Sequence, residues 1–299
     1  MFPGGDIPIP NIGDPRRVIG RRTFDFSREL AIMAIINRTQ DSFYDRGRTF
    51  ALDTALTAID YALAAGADWI DIGAVPFSPV SGDVTEQEEI ARVVPLIEAV
   101  RHETDAVLSV DTFRSGVARQ ALRAGADVIN DTSGLSDPGM ARVIAGARGS
   151  VIITHSKAAP RQQLSRPGYD DVVAEVRHFL VERAGYAQGQ GIDPGKIIVD
   201  PGHDLNKNTY HSLELTRRLN ELNDLGYPLL VSVSNKDFIA ETLDLPIDEL
   251  TAGTLATLAV CVLQGARILR VHDVGAAVSA MSAAGPMLGL RPRGPVAPD

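Results

Sequence analysis

The chain has 299 residues, 44% of them hydrophobic and 22% charged, the composition of an ordinary globular domain with enough apolar material for one large core. Its 29 Lys and Arg against 38 Asp and Glu leave a net charge of −9, which opposes non-specific binding to nucleic acid or to an anionic membrane, so a phosphorylated ligand would need a local cationic site. Cys261 is the only cysteine; an intramolecular disulfide is excluded, and a buried thiol in a reducing cytoplasm is expected.

Residues 1–28 read as an N-terminal extension rich in Pro, Gly and Arg, without the apolar run of a signal peptide. No later segment approaches the ~20 apolar residues that a membrane helix requires. From there short β-branched runs alternate with Ala-rich stretches, the pattern of parallel βα units. Strands are predicted at 30–37, 68–73, 106–111, 127–130, 150–155, 196–200, 228–234 and 268–272. Helices are predicted at 51–65, where a three-and-four apolar spacing stops at Gly66, and at 86–100, which opens on acidic residues that favour a helix N-terminus. Further helices fit 115–124, 169–188, 211–225, 253–264 and 275–284. Eight such strands suit an α/β fold closed as a (β/α)₈ TIM barrel over 29–286, with 287–299 as a loose tail. An open doubly wound sheet uses the same alternation, but no glycine-rich phosphate fingerprint follows the first strand.

The apolar runs end in polar residues: Asn37, Asp71, Asp111, Asn130, His155, Asp200, Ser234 and His272. In a (β/α)₈ barrel that face carries the active site. For any single position a loop-starting Asp or Asn is an equally good account; the whole series points to a site. Asp111 and Asp200, with the amide Asn130 and the cation Lys236, would make a pocket that accepts parallel N–H donors, as a flat 2-amino-4-oxo heterocycle presents them. Arg270 and His272 share one face of the last strand and suit an anion, the alternative being an ion-pair network with Asp273.

From 24 to 284 the chain resembles the dihydropteroate synthases. Met33-Ala-Ile-Ile-Asn-Arg-Thr-Gln-Asp-Ser-Phe43 is similar to the family's first-loop signature. Ser109-Val-Asp-Thr112, Ile129-Asn-Asp-Thr132, Asp200-Pro-Gly202, Lys207-Asn208, Ser234-Asn-Lys-Asp-Phe238 and Arg270-Val-His-Asp-Val274 continue the series in the family's order.

The resemblance implies a transferase of folate biosynthesis that condenses 6-hydroxymethyl-7,8-dihydropterin pyrophosphate with an arylamine such as 4-aminobenzoate. It implies a pterin held by Asp111, Asn130, Asp200 and Lys236, a pyrophosphate held by Asn37, Arg270 and His272, Mg²⁺ as cofactor on Asn37, and catalytic roles for Lys236, Arg270 and His272. Phe43, Asp45, Ser78, Pro79, Leu205 and Ser234 would frame the acceptor, and the family suggests a homodimer. His155 and His203 are better read as packing or loop hydrogen-bonding groups than as general bases.

Departures concentrate on the acceptor side. The family's Gly-Glu-Ser-Thr-Arg-Pro reads Ala74-Val-Pro-Phe-Ser-Pro79, so its arginine is Ser78. The glycine-rich aromatic loop reads His203-Asp-Leu-Asn206, Asn235 replaces the Arg of Ser-Arg-Lys, and Thr154 replaces a Met. The Ser-Asn-Lys-Asp and His203-Asp204 features resemble the second, divergent paralogue of Actinobacteria. A catalytically silent or altered-acceptor pterin-binding paralogue is therefore the second reading. A pterin-dependent methyl carrier enzyme is a third, opposed by the retention of Asn37, Arg270 and His272.

Overall fold

Strand closure and helix packing are visible in a computed structural model, which describes residues 10–38, 51–76 and 82–292. Two short strands, β1 (Arg16–Ile19) and β2 (Arg22–Asp25), pair antiparallel. Eight more follow: β3 (Ala31–Asn37), β4 (Trp69–Gly73), β5 (Val107–Asp111), β6 (Val128–Asp131), β7 (Ser150–Thr154), β8 (Ile197–Asp200), β9 (Leu229–Val231) and β10 (Ala266–Val271). They form a closed parallel barrel in chain order, with β10 returning to β3. The expected (β/α)₈ barrel is present, each predicted strand falling on one of these eight.

Helices α1 (Leu52–Ala64), α2 (Glu86–Arg101), α3 (Ser115–Ala124), α4 (Met140–Ala147), α5 (Val172–Gly189), α6 (Thr209–Arg217), α7 (Asp237–Leu243), α8 (Thr251–Leu263) and α9 (Val274–Met287) surround it. The acidic opening of α2 is a full capping box: Glu88 N donates to Thr85 Oγ1 and Thr85 N to Glu88 Oε2. Two predicted helices need correction. The one expected from 169 starts at Val172, because Asp171 accepts from the Val173 and Ala174 amides and caps it there. The one expected over 211–225 starts earlier at Thr209, capped by Asn208, and stops at Arg217; Leu219–Leu225 is a 3₁₀ segment ended by left-handed Gly226.

The core has two shells. Outside the barrel, strand residues such as Ile70, Ile72, Leu108, Ile129 and Ile153 pack against the helices. Inside, Met33, Trp69, Val107, Val128, Ile152, Ile198, Leu230 and Ile268 fill the floor, together with Phe24 and Phe26. The β1–β2 hairpin, unpredicted within the N-terminal extension, lies against that floor. It is held by tertiary bonds from Arg17 to the Pro194 carbonyl and from Arg22 to Asp68. At the other terminus Leu290 is buried and the Arg291 amide donates to the Arg28 carbonyl at 2.6 Å.

Candidate functional site

Side chains on a strand alternate faces, so two residues beyond each floor position the barrel interior is lined again. Beyond Trp69 comes Asp71, beyond Val107 Ser109, beyond Val128 Asn130, beyond Ile152 Thr154, beyond Ile198 Asp200, beyond Leu230 Ser232 and beyond Ile268 Arg270. Beyond Met33 comes Ile35, and on the other seven strands the apolar floor gives way to a polar ring. Strand register sets the neighbours: Asp71 is paired with Ser109, Thr154 with Asp200, and Asn130 with Asp111, which stands two residues beyond Ser109 on its strand.

Arg270 organises the ring. Its Nε donates to Asp71 Oδ2 at 2.6 Å and its Nη2 to Asp111 Oδ2 at 3.1 Å. Asn130 Nδ2 donates to the same Asp71 oxygen at 3.1 Å. Arg270 is therefore ion-paired, but not with Asp273, whose carboxylate instead caps α9 through the Ala276 amide. Asp71 Oδ1, Asn130 Oδ1, Ser109 Oγ and Thr154 Oγ1 are buried without any protein partner. Buried polar atoms rarely stay unpaired, so four of them on neighbouring strands at one end of the barrel call for a ligand or ordered water.

Asn37 and Asp111 flank Gly73 at the next level up. A Cβ on Gly73 would stand 3.0 Å from Asn37 Oδ1 and 3.8 Å from Asp111 Cβ, so a larger residue would crowd both. Burial pushes the Asp111 carboxyl up to about 7; Arg270 pulls it back, while the Asp71 and Glu89 carboxylates add to the rise. A quarter of the Asp111 side chain remains exposed at the mouth, so water tempers that shift.

Asp200 is held by the turn that follows it: Gly202 N donates to Asp200 Oδ1 at 2.7 Å. Gly202 has φ +68°, and a Cβ there would come within 2.1 Å of the His155 carbonyl oxygen. Burial raises the Asp200 carboxyl, against the pull of the Gly202 amide and of Lys236, Arg270 and Lys207. Lys236 is lowered by burial and supported by Asp204 and Asp200, and its Nζ donates to the His203 carbonyl. Ser234 Oγ accepts from the His272 amide at 3.2 Å and lies 3.1 Å from His272 Nδ1, tying the last two strand ends together.

The structure thus brings Asn37, Asp111, Asn130, Asp200, Lys236 and Arg270 to one end of the barrel, with Ser234 and His272 paired beside them. Leu205 is almost fully buried in the turn after β8, where its carbonyl accepts from Lys207. Phe43, Asp45, Ser78 and Pro79 lie outside the described residues. His155 and His203 take the structural parts expected of them. His155 Nδ1 lies 2.8 Å from Lys207 Nζ, and burial with that lysine pushes the imidazole down to about 2; His203 Nε2 meets Thr216 Oγ1 at 3.1 Å. Sequence reading placed Asp71 at a strand end and Ser109 in a motif but gave neither a part, counted Thr154 only as an acceptor-side departure, and missed Ser232. For two of them the usable signal was a polar residue two positions before a strand-end residue, as Ser109 stands to Asp111 and Ser232 to Ser234.

Residues 33–272 match the sequence family described as pterin binding enzyme. An "inactive dihydropteroate synthase 2" of Mycobacterium leprae is 44% identical over 267 residues, covering 87% of this chain and 91% of that protein. A dihydropteroate synthase of Haemophilus influenzae is 40% identical over 245 residues, covering 82% of this chain and 89% of that one. The crystal structure of Yersinia pestis dihydropteroate synthase with a sulfonamide drug superposes with a TM-score of 0.88 at 35% identity, over 92% of this chain and 99% of that one. With that barrel, that ring of acceptors and these relatives, the chain belongs to the pterin-binding enzymes, in the dihydropteroate synthase family.

Proposed function

We propose that the barrel mouth binds a dihydropterin pyrophosphate and transfers its pterin-methyl group to an arylamine such as 4-aminobenzoate. The observation that supports it most is the set of buried acceptors without protein partners, Asp71 Oδ1 and Asn130 Oδ1, beside Asp111 and Asp200. A 2-amino-4-oxo ring brings adjacent N–H and NH₂ donors to such acceptors, and Lys236 can donate to its carbonyl. In the transfer the amine nitrogen forms a bond to the exocyclic methylene carbon while the C–O bond to pyrophosphate breaks; the electron pair leaves on the pyrophosphate oxygen, and the amine gives up a proton. Arg270 and His272 stabilise the leaving anion, and the ring carboxylates favour the cationic character that develops on the pterin.

Mg²⁺ fits this arrangement through one protein oxygen, that of Asn37. A hard cation held by a single amide oxygen would draw its other ligands from diphosphate and water. When bound, such a cation neutralises charge on the leaving group. We further propose a homodimer in the cytoplasm. Helices α6, α7 and α8 pack side by side, and Tyr210, Leu213, Leu243, Leu245, Val260 and Leu263 are exposed along and beside them. Among the described residues no helix is long and apolar enough to cross a membrane.

A second reading is a pterin-binding paralogue that is silent or uses another acceptor. Ser78 and Asn235 stand where the family carries arginines, and the Mycobacterium leprae relative bears the word inactive in its name. Purified protein with Mg²⁺, dihydropterin pyrophosphate and 4-aminobenzoate should release pyrophosphate in an amine-dependent way. Pterin binding without release would establish the second reading; neither binding nor release would end both.

A further inference from the structure

The turn after β8 and the segment after β9 grip each other reciprocally. Lys236 Nζ donates to the carbonyl of His203, while the carboxylate of the next residue, Asp204, accepts at 3.3 Å from the amide of Phe238, two positions past Lys236. The His203 and Phe238 rings stack between these bonds, with centroids 5.8 Å apart and planes 25° from parallel. Asp204 is anchored from a third element as well: its amide donates to Ser212 Oγ on α6 at 3.2 Å, and that hydroxyl donates to Asp204 Oδ1 at 3.0 Å.

Holding Asp204 there requires an unusual backbone. Asp204 has φ +63° and Asn206 φ +51°, both in the left-handed region that glycine enters freely and other residues rarely do. Such conformations persist only where the surroundings enforce them, and they gather at functional sites. Asn206 is fixed by its own side chain, which accepts from the Leu164 amide at 2.7 Å and donates to Ser156 Oγ and the Gln162 carbonyl. The turn therefore does not relax at Asp204; it carries that carboxylate to the base of the Lys236 segment.

We propose that Asp204 is a positioning residue of the pterin site: its carboxylate clamps the start of α7 and supplies, with Asp200, a second anion to the Lys236 ammonium, so that this donor is held charged and aimed before a ligand arrives. The inference rests on the pterin reading given above. The charged groups that act on Lys236 are Asp200 from β8, Asp204 from the turn, Asp237 on α7, Arg270 on β10 and Lys207 after the turn; buried His203 is kept neutral. Two positive neighbours, Arg270 and Lys207, push the ammonium toward losing its proton, and burial pushes the same way. Asp204 opposes both.

The test is Asp204→Asn, which tolerates the left-handed backbone and removes the charge; its one amide oxygen can keep accepting from the Phe238 amide while its NH₂ group turns to the Ser212 hydroxyl as a donor. The chain has four lysines, Lys157, Lys196, Lys207 and Lys236, few enough to follow each ¹³Cε signal by NMR. In ligand-free protein the Lys236 midpoint is expected to fall by about one unit in the variant, and affinity for 6-hydroxymethylpterin at about pH 7 to fall about tenfold, with thermal stability near that of the parent. Ser212→Ala, which loosens the anchor without touching either charge, is expected to move both readouts in the same direction by less. A Lys236 midpoint unmoved by Asp204→Asn overturns the inference. So does an unchanged pterin affinity in the variant when the parent protein binds the pterin. Parent protein that does not bind the pterin overturns the functional reading instead, and the Lys236 titration then decides the clamp on its own.

Discussion

Arg270 on β10 reaches past β3 to Asp71 on β4, its Nε 2.6 Å from a carboxylate oxygen that also accepts from Asn130 on β6. Asp71 is fully buried, and Arg270 has only 15% of its side chain exposed. Removing one member of such a pair leaves the other charge buried with less compensation, whereas removing both can be nearly neutral. Asp71→Ala is therefore expected to destabilise the fold by roughly 3–5 kcal/mol. The double variant Asp71→Ala/Arg270→Met should lose clearly less than the sum of its two single changes. Denaturant melts of the four proteins measure this; strictly additive losses would mean that the two side chains do not depend on each other.

Asp111 gives the site a pH signature. Its folded carboxyl sits above the ordinary 3.8 and reaches about 7, because burial outweighs the help from Arg270. Near pH 3 and below the group is protonated in both folded and unfolded chains. Between about 4 and 7 the unfolded chain releases the proton while the folded chain keeps it, so the stability that this group contributes falls as pH rises through that window. Asp131, raised to about 6, and buried Asp200 act in the same direction, so the comparison must isolate Asp111. The stability of Asp111→Asn minus that of the parent should grow from pH 4 toward pH 7 and then level. Pterin affinity of the parent should show the opposite trend, since the ionised carboxylate is the better acceptor. A flat difference between the two stability curves would place Asp111 in a more solvated setting than the one described.

Gly202 is the residue on which the presentation of Asp200 depends. Its amide holds Asp200 Oδ1, its φ is +68°, and the space for a Cβ is taken by the His155 carbonyl. A backbone oxygen cannot step aside as a flexible side chain would. Gly202→Ala should cost about 1–2 kcal/mol for the left-handed conformation alone, with more from the displaced strand end. Pterin affinity should fall together with the thermal midpoint. An alanine variant with both unchanged would show that the turn has room that the structure denies it.

The strands were legible because each is a β-branched run closed by a polar residue, a pattern set locally by burial on both faces of a parallel barrel. The strand-end residues of the site came with them for the same reason. Elements without local signals were lost. Helix α4 starts after Gly139 without a side-chain cap, and α7 starts after Lys236 without one, so neither announces its beginning. The β1–β2 hairpin is Arg-rich and is held by bonds such as Arg17 to the Pro194 carbonyl, 177 residues away. The Arg270–Asp71 pair spans 199 residues and the Asp204–Phe238 bond 34. Sequence showed the departures at His203 and Asp204 but not that they meet Lys236 and Phe238, because only the pairing of β8 with β9 brings those turns together.

Asn37 separates leaving-group chemistry from ring recognition. Its amide oxygen stands one level above the Asp71–Arg270–Asn130 network, close beside Gly73 and Asp111, so truncating it should leave the pterin contacts in place. In the proposed reaction that oxygen is the protein's contribution to Mg²⁺. Asn37→Ala is then expected to raise the Mg²⁺ concentration for half-maximal pyrophosphate release by about tenfold, the equivalent of ~1.4 kcal/mol for one lost oxygen ligand. Affinity for 6-hydroxymethylpterin, which has no phosphate, should stay within about twofold of the parent. Release assays over a Mg²⁺ series, paired with pterin titrations, decide between this and a simple loss of folding, which would lower both together. An unchanged Mg²⁺ requirement with weakened pterin binding would move Asn37 from the leaving group to the ring, and the cation would have to be held by other oxygens.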